Sequence, residues 1–428
     1  IELDPNFAVA YTALGISYSN VGDSALANQN FQRGYDLRDR VSEREKLRIS
    51  AAYHSYFEGD LLKGSETYEL WARAYPRDAE PPGNLGVINL YLGNYEKALS
   101  QTLEHLRLEP DNAIGYSNLL VAYAALNRLD EAKAAYQKVL ARNVDEIGLH
   151  GNLYGIAFLQ QDVTEMQRQV AWAAGKPGAE DVLLSFASDT EAYYGHLSKA
   201  RALSLRAVAS AWRSDEKETA AGWQINAALR EAELGNGVQA RRALASALGM
   251  ASTRDVQTLA ALASARVGAL PQALQMAQDL AKRFPHDTLM NGYWLPTIHA
   301  AIEINRGNPA KAIEMLQTTA PYELGEPSPL FQLGGSLYPA YLRGQADVLL
   351  HRGDDAAKEF AKILDHRGVT FNYPLGALAR LGLARAYAVQ GHTDNSRSAY
   401  QDFFTLWRDA DPDIPLLKQA KAEYARLR

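Results

Sequence analysis

Five residues, Gly59, Gly93, Asn127, Gln161 and Gly195, recur at intervals of 34 along the chain. A fixed period of that size constrains the fold more than any other feature, because each period is one unit of structure that cannot bury its apolar face alone. A short polar or capping residue follows in Gly59-Asp60 and Gly93-Asn94, and a small residue stands five positions on at Ala98, Ala132 and Ala200. The pattern reads as a tight turn between two helices. Glycine tolerates the left-handed conformation that ends one helix, and Asp or Asn beside it can accept the first free amide hydrogens of the next. The same turn recurs outside the strict register at Gly22-Asp23, Gly235-Asn236, Gly268, Gly307-Asn308, Gly353-Asp354 and Gly391-His392, so eleven helical hairpins are expected. Pro5, Pro76, Pro110 and Pro285 mark the other end of a hairpin, where proline prevents the outgoing helix from continuing.

These residues resemble the tetratricopeptide repeat, whose pattern sets an aromatic residue, Leu-Gly, Tyr, Ala, an aromatic residue, Ala and Pro at fixed offsets. Tyr11, Leu14, Gly15, Tyr18, Gly22, Ala27 and Phe31 match it in the first hairpin. Leu85, Gly86, Gly93, Tyr95, Ala98 and Pro110 match in the third, and Tyr116, Leu119, Tyr123, Ala132 and Tyr136 in the fourth. Met166 departs from the small residue expected in the fifth, and the 46 residues from Gly307 to Gly353 imply an insertion around Tyr322–Tyr338. The resemblance implies an all-α, right-handed superhelix. Its expected organisation is the end of a preceding repeat at 1–7, a regular array at 8–207, degenerate repeats at 208–320, the insertion at 321–338, further repeats at 339–414 and a capping helix at 415–428.

A narrower resemblance concerns the C-terminal part. The runs at Ile363–Gly368, Pro374–Ala388 and on to Trp407 are similar to the C-terminal repeats of bacterial serine/threonine kinases of the acidobacterial type. That similarity implies a parent protein with a kinase domain ahead of the repeats, and the opening at Ile1 without Met reads as a fragment of such a chain. The kinase motifs themselves, a glycine-rich phosphate loop, a strand lysine, a catalytic loop and a metal-binding DFG, are absent. "HRGD" at His351–Asp354 falls on an inter-helix turn. The chain is therefore expected to be no enzyme and to hold no cofactor.

Composition narrows the partners. A formal charge of −6 and a pI near 5.9 disfavour a broad nucleic-acid or anionic-membrane footprint, and no run approaches the apolar length of a membrane span. The absence of cysteine removes disulfides, thiolate metal sites and thiol nucleophiles. Asp409, Asp411 and Asp413 begin with the spacing of a calcium loop, but Ile414 and Ala420 stand where its glycine and bidentate glutamate would be, so a helix-capping turn is expected. The aromatic group Phe371, Tyr373, Tyr400, Phe403, Phe404 and Trp407 reads as core and end cap.

Asn84, Asn118 and Asn152 again stand 34 apart, and Asn226 has the same place nine residues before its turn glycine. First helices line the concave groove in the repeat family, and a primary amide can pair with both N–H and C=O of an extended backbone. Two readings follow: a ladder that holds a peptide or protein segment in the groove, or a set of hydrogen bonds between repeats. The function expected is a non-catalytic binding scaffold within a larger signalling protein. A substrate-recruiting accessory region of an enzyme and a self-assembly module are the alternatives.

Overall fold

The computed structural model describes residues 4–20, 23–142, 145–326 and 335–427. Within them the chain forms α1 (Ala8–Asn20), α2 (Ser24–Asp36), α3 (Glu43–Ala52), α4 (Leu61–Ala74), α5 (Glu80–Tyr91), α6 (Tyr95–Leu108), α7 (Ala113–Ala125) and α8 (Leu129–Leu140). It continues through α9 (Ile147–Leu159), α10 (Val163–Ala173), α11 (Glu180–Tyr193), α12 (Leu197–Arg213), α13 (Lys217–Glu233), α14 (Gly237–Met250), α15 (Arg254–Arg266) and α16 (Leu270–Arg283). The last third holds α17 (Leu295–Asn305), α18 (Pro309–Leu316), α19 (Tyr338–Leu349), α20 (Gly353–Asp365), the short α21 (Arg367–Thr370), α22 (Leu375–Val389), α23 (Thr393–Leu406) and α24 (Pro415–Ala425). Paired in order, with α21 set apart and α24 closing the series, these helices make the eleven hairpins that the turn signals predict. Gly22 and part of the insertion expected at 321–338 lie outside the described residues.

The turns form as their residues require. Gly59, Gly93, Gly195, Gly235, Gly268, Gly307 and Gly391 all have φ between 70° and 85°. Asn127, Gln161 and His351 take the same left-handed conformation without glycine's freedom; at the tenth turn it is His351, not the expected Gly353, which instead opens α20. Beside the turns, Asp60 and Asp162 accept hydrogen bonds from the backbone N–H of Lys63 and Glu165. Asn94, Asn236 and Asn308 make no such cap, so the expected capping role holds for Asp and fails for Asn at this position. Ala98, Ala132 and Ala200 are fully buried where paired helices approach.

Each second helix packs on its own first helix and on the first helix of the next hairpin. Most successive first helices also touch one another, whereas second helices do not touch comparably. First helices therefore form an inner wall and second helices an outer one.

The array coils until its second turn rests on its first. Thr288, in the loop after α16, donates its N–H to the Gly59 carbonyl, and its hydroxyl accepts from Leu61 N–H. Glu326 N–H donates to the Leu90 carbonyl, Asp411 N–H to the Gly195 carbonyl, and Leu416 N–H to the Leu234 carbonyl. At the start of the series, the Glu218 carboxylate accepts from Ser24 N–H and Oγ–H. Every contact joins the turn of an earlier hairpin to an inter-hairpin loop, or the helix start just after one, several hairpins later. The aspartates near 411, expected to form a solvated helix-capping turn, leave the adjoining α24 without a side-chain cap at Ile414, and Asp411 Oδ2 instead accepts from Ser198 N–H at 2.6 Å at the start of the distant α12.

Candidate functional site

The inner wall is where the repeat geometry gathers polar groups, and it has two parts. Around α9, α11 and α13 it is filled by the chain itself. Val369 through Tyr373 are all buried. Phe371 occupies the space that a Cβ on Gly155 would need, with a ring carbon 2.4 Å from that position. Asn372 Nδ2 donates to the Phe186 carbonyl at 2.6 Å and to Thr190 Oγ1 at 3.0 Å, and Arg367 donates to the Leu159 carbonyl. Phe371 adopts φ 46°, ψ −121°, a backbone conformation costly for a bulky side chain. The packing of its ring and the two Asn372 bonds hold it there.

This filling explains α9, which is buried on all sides from Gly148 to Leu159. A helix apolar all round is buried all round. Behind it sits a polar network: the Arg230 guanidinium meets Asp189 Oδ1 at 2.6 Å and donates to Ser204 Oγ, while Asn226 Nδ2 donates to Asp189 Oδ2 at 3.0 Å. Burial raises the Asp189 carboxyl above the ordinary range against the opposing pull of Arg230. Removing one member of such a pair would leave an uncompensated buried charge.

The four asparagines divide accordingly. Asn226 is 1% exposed and Asn152 7% exposed, and Asn152 Nδ2 is spent on the Ser117 carbonyl and hydroxyl at 3.0 and 2.9 Å. Asn84 is half-buried on α5; its Oδ1 accepts from Tyr56 Oη–H, and its Nδ2 donates back to the Glu80 carbonyl. Asn118 is half-buried on α7 and makes no side-chain hydrogen bond among the described residues. Register thus gives the four equivalent places on first helices but not equal access. Asn152 and Asn226 serve as bonds between repeats. Sequence reasoning passed over Arg367 and Asn372, the side chains that bond the inner wall to the second turn.

Among the described residues no group of three or more His, Asp or Glu could hold a metal ion, and no helix is long and apolar enough to cross a membrane. The fold is that of an all-α repeat solenoid. A tetratricopeptide repeat family model matches residues 113–143, the hairpin of α7 and α8 that carries Asn118. Over 175 residues, 40% of this chain, the sequence is 27% identical to Superkiller protein 3 of Schizosaccharomyces pombe, and the match spans 12% of that relative's length. Among solved structures, yeast Tom70 is similar at 14% identity over 98% of this chain and 95% of its own, with a TM-score of 0.35. The human IFIT1 dimer with m7Gppp-AAAA is similar at 15% identity over 85% and 86%, with a TM-score of 0.44.

Proposed function

We propose that the chain is a non-catalytic protein-binding scaffold that receives an extended segment against the inner wall of its first hairpins. The observation that carries this reading is Asn118: a half-buried amide with no internal side-chain partner among the described residues, in the hairpin that the tetratricopeptide repeat model matches. Asn84, one repeat earlier, offers a second amide at the same register, which would have to exchange its Tyr56 bond for a ligand's. Asn372, which donates from a non-helical segment to the Phe186 carbonyl of this wall, supports the reading.

The scaffold is the interaction region of a larger signalling protein, a reading supported by the resemblance of Ile363–Trp407 to repeats that follow bacterial serine/threonine kinases. Fluorescence anisotropy with labelled extended peptides of varied sequence tests the binding role. Asn118→Ala should weaken binding by about 1 kcal/mol, roughly fivefold, and leave the melting temperature unchanged. Equal binding by the wild type and the variant, or no binding of any peptide, would refute it.

A further inference from the structure

The outer wall changes character at the middle of the chain. The second helices α4, α6, α8 and α10 each carry as many acids as bases, so their outward faces are close to neutral. The next two do not. α12 and α14 together carry Lys199, Arg201, Arg206, Arg213, Arg241 and Arg242 and no Asp or Glu, in a chain whose formal charge is −6. Arg201 pairs with Glu231 and Arg213 with Glu180, whereas Lys199, Arg206, Arg241 and Arg242 are exposed and make no ion pair among the described residues. Other acids stand at the ends of this stretch: Asp411 and Asp413 lie near Arg201 at the start of α12, and Asp215 pairs with Lys217 past its end.

The same place exposes large apolar side chains. Of the six tryptophans, five are buried or half-buried, while Trp212 is 48% exposed and Leu205, one heptad earlier, is 65% exposed. Helix geometry gives their direction. Arg201, Leu205, Val208 and Trp212 stand at i, i+4, i+7 and i+11, so they share one stripe of α12. Arg201 donates to Glu231 on α13, which puts that stripe on the side toward α13 and α14. On α14, Arg241 reaches the Val267 carbonyl at the end of α15, so the opposite stripe, with Ala243 and Met250, faces α12. Both helices pack on α13 and do not meet each other comparably. A furrow floored by α13 therefore runs between them, about 20 Å long over the 14 residues of α14.

We propose that this furrow docks an acidic amphipathic helix of a partner protein. The partner's apolar stripe lies against Leu205 and Trp212, and its outward carboxylates sit in the field of Arg206, Arg241 and Arg242, which have no acid of their own. Charge complementarity sets the sign of the partner, and tryptophan and arginine are the side chains that contribute most at protein interfaces. Helix-in-groove docking needs the parallel walls and apolar side that two neighbouring second helices provide. A flat anionic bilayer fits less well, because the outermost stripes it would meet present Ala202, Ala209 and Ala245, while the leucine and tryptophan line the furrow's side. The furrow lies on the outer wall and Asn118 on the inner, so this inference is independent of the peptide-binding reading.

A stapled helix of about 15 residues, the length of α14, with leucines at i, i+4, i+7 and i+11 and glutamates elsewhere, tests it on the full chain. Anisotropy of the labelled peptide gives affinity, and tryptophan emission gives place. The wild type should bind with a blue shift in emission, absent in Trp212→Phe, and affinity should fall several-fold between about 50 and 500 mM salt. Leu205→Asp, and separately Arg206→Glu with Arg242→Glu, should each weaken binding about tenfold or more. These positions are exposed, so circular dichroism should match the wild type, and Asn118→Ala should bind this helix unchanged. The same helix with lysines in place of glutamates should not bind. No binding, equal binding of the lysine helix, affinity untouched by the furrow variants, or binding without the Trp212 signal would each overturn the proposal. Tighter capture by phosphatidylserine vesicles or by single-stranded RNA than by the peptide would overturn it in favour of a membrane or a nucleic acid.

Discussion

Gly195 and Gly391 end the first helices of the sixth and eleventh hairpins with nearly the same backbone, φ 78° and 77°. Their surroundings differ completely. A Cβ on Gly195 would lie 2.5 Å from the Ala410 side chain and 3.0 Å from the Trp407 ring, while one on Gly391 would meet nothing. The same contrast separates Gly59, Gly93 and Gly235 from Gly268 and Gly307. A repeat motif therefore fixes local conformation, and the superhelical position of the repeat decides what that conformation touches. Equal sequence at two turns does not mean equal energy.

Steric probes at the seam should give the largest effects. Gly368 sits in α21 with its missing Cβ 1.9 Å from the Ala124 carbonyl oxygen, a backbone atom that cannot swing aside. Gly368→Ala should cost on the order of 3 kcal/mol in urea unfolding, because overpacking against backbone forces the two turns apart. A cost under about 1 kcal/mol, the range of an ordinary surface change, would mean that the seam is loose. Next, Gly195→Ala and Gly391→Ala share the left-handed penalty of roughly 1 kcal/mol. Only the former also drives a methyl into Ala410 and Trp407, so Gly195→Ala should lower the melting temperature clearly further; equal losses would erase the distinction between the edges.

Asp411→Ala removes the cap that the second turn supplies to α12 and should cost about 1 kcal/mol, the usual worth of such a cap. A double substitution with Ser198→Pro, which deletes the donor N–H at a position where proline is tolerated, should show the two losses to be non-additive.

Near the turn of the tenth hairpin the effect depends on pH. Asp347, buried on α19, has its carboxyl pushed up to about 6 by burial and by the charges of Asp355 and Glu359, against Arg352. An acid whose folded pKa exceeds its unfolded value of 3.8 favours folding while protonated, and that advantage is lost as pH rises from about 4 to 6. Asp347→Asn should therefore be more stable than the wild type at pH 7, by up to about 2 kcal/mol, with the gap closing below pH 4. The opposite slope would show that Arg352 governs the site.

Hairpin number, most turn positions and the buried alanines were legible because each rests on a local rule, that left-handed turns want glycine and close helix pairs want small side chains; the tenth turn falls at His351 instead of Gly353 because a left-handed residue need not be glycine. The seam was not, because it depends on superhelical pitch, a sum of small rotations that no single residue encodes. Two signals pointed to it nonetheless. The first helix Ile147–Leu159 carries no polar strip, although a wall facing an open groove should have one. The connection around Val369–Tyr373 is too apolar for a solvent-exposed loop. The asparagines show the same limit: spacing sets their register, but access at Asn152 and Asn226 depends on what packs over them.

The seam bonds also bear on how the chain folds. Stacked repeats ordinarily exchange energy only with their neighbours, so they can fray or nucleate one unit at a time. Here Gly59 is tied to Thr288 and Gly195 to Asp411, residues separated by more than two hundred positions along the chain. Such ties raise the mean sequence separation of contacts well above that of an open array, which slows folding. They also couple distant hairpins into one cooperative unit. Loss of the last hairpin then strips support from the sixth and seventh as well, and unfolding proceeds as a collapse of the whole coil instead of an unravelling from its end.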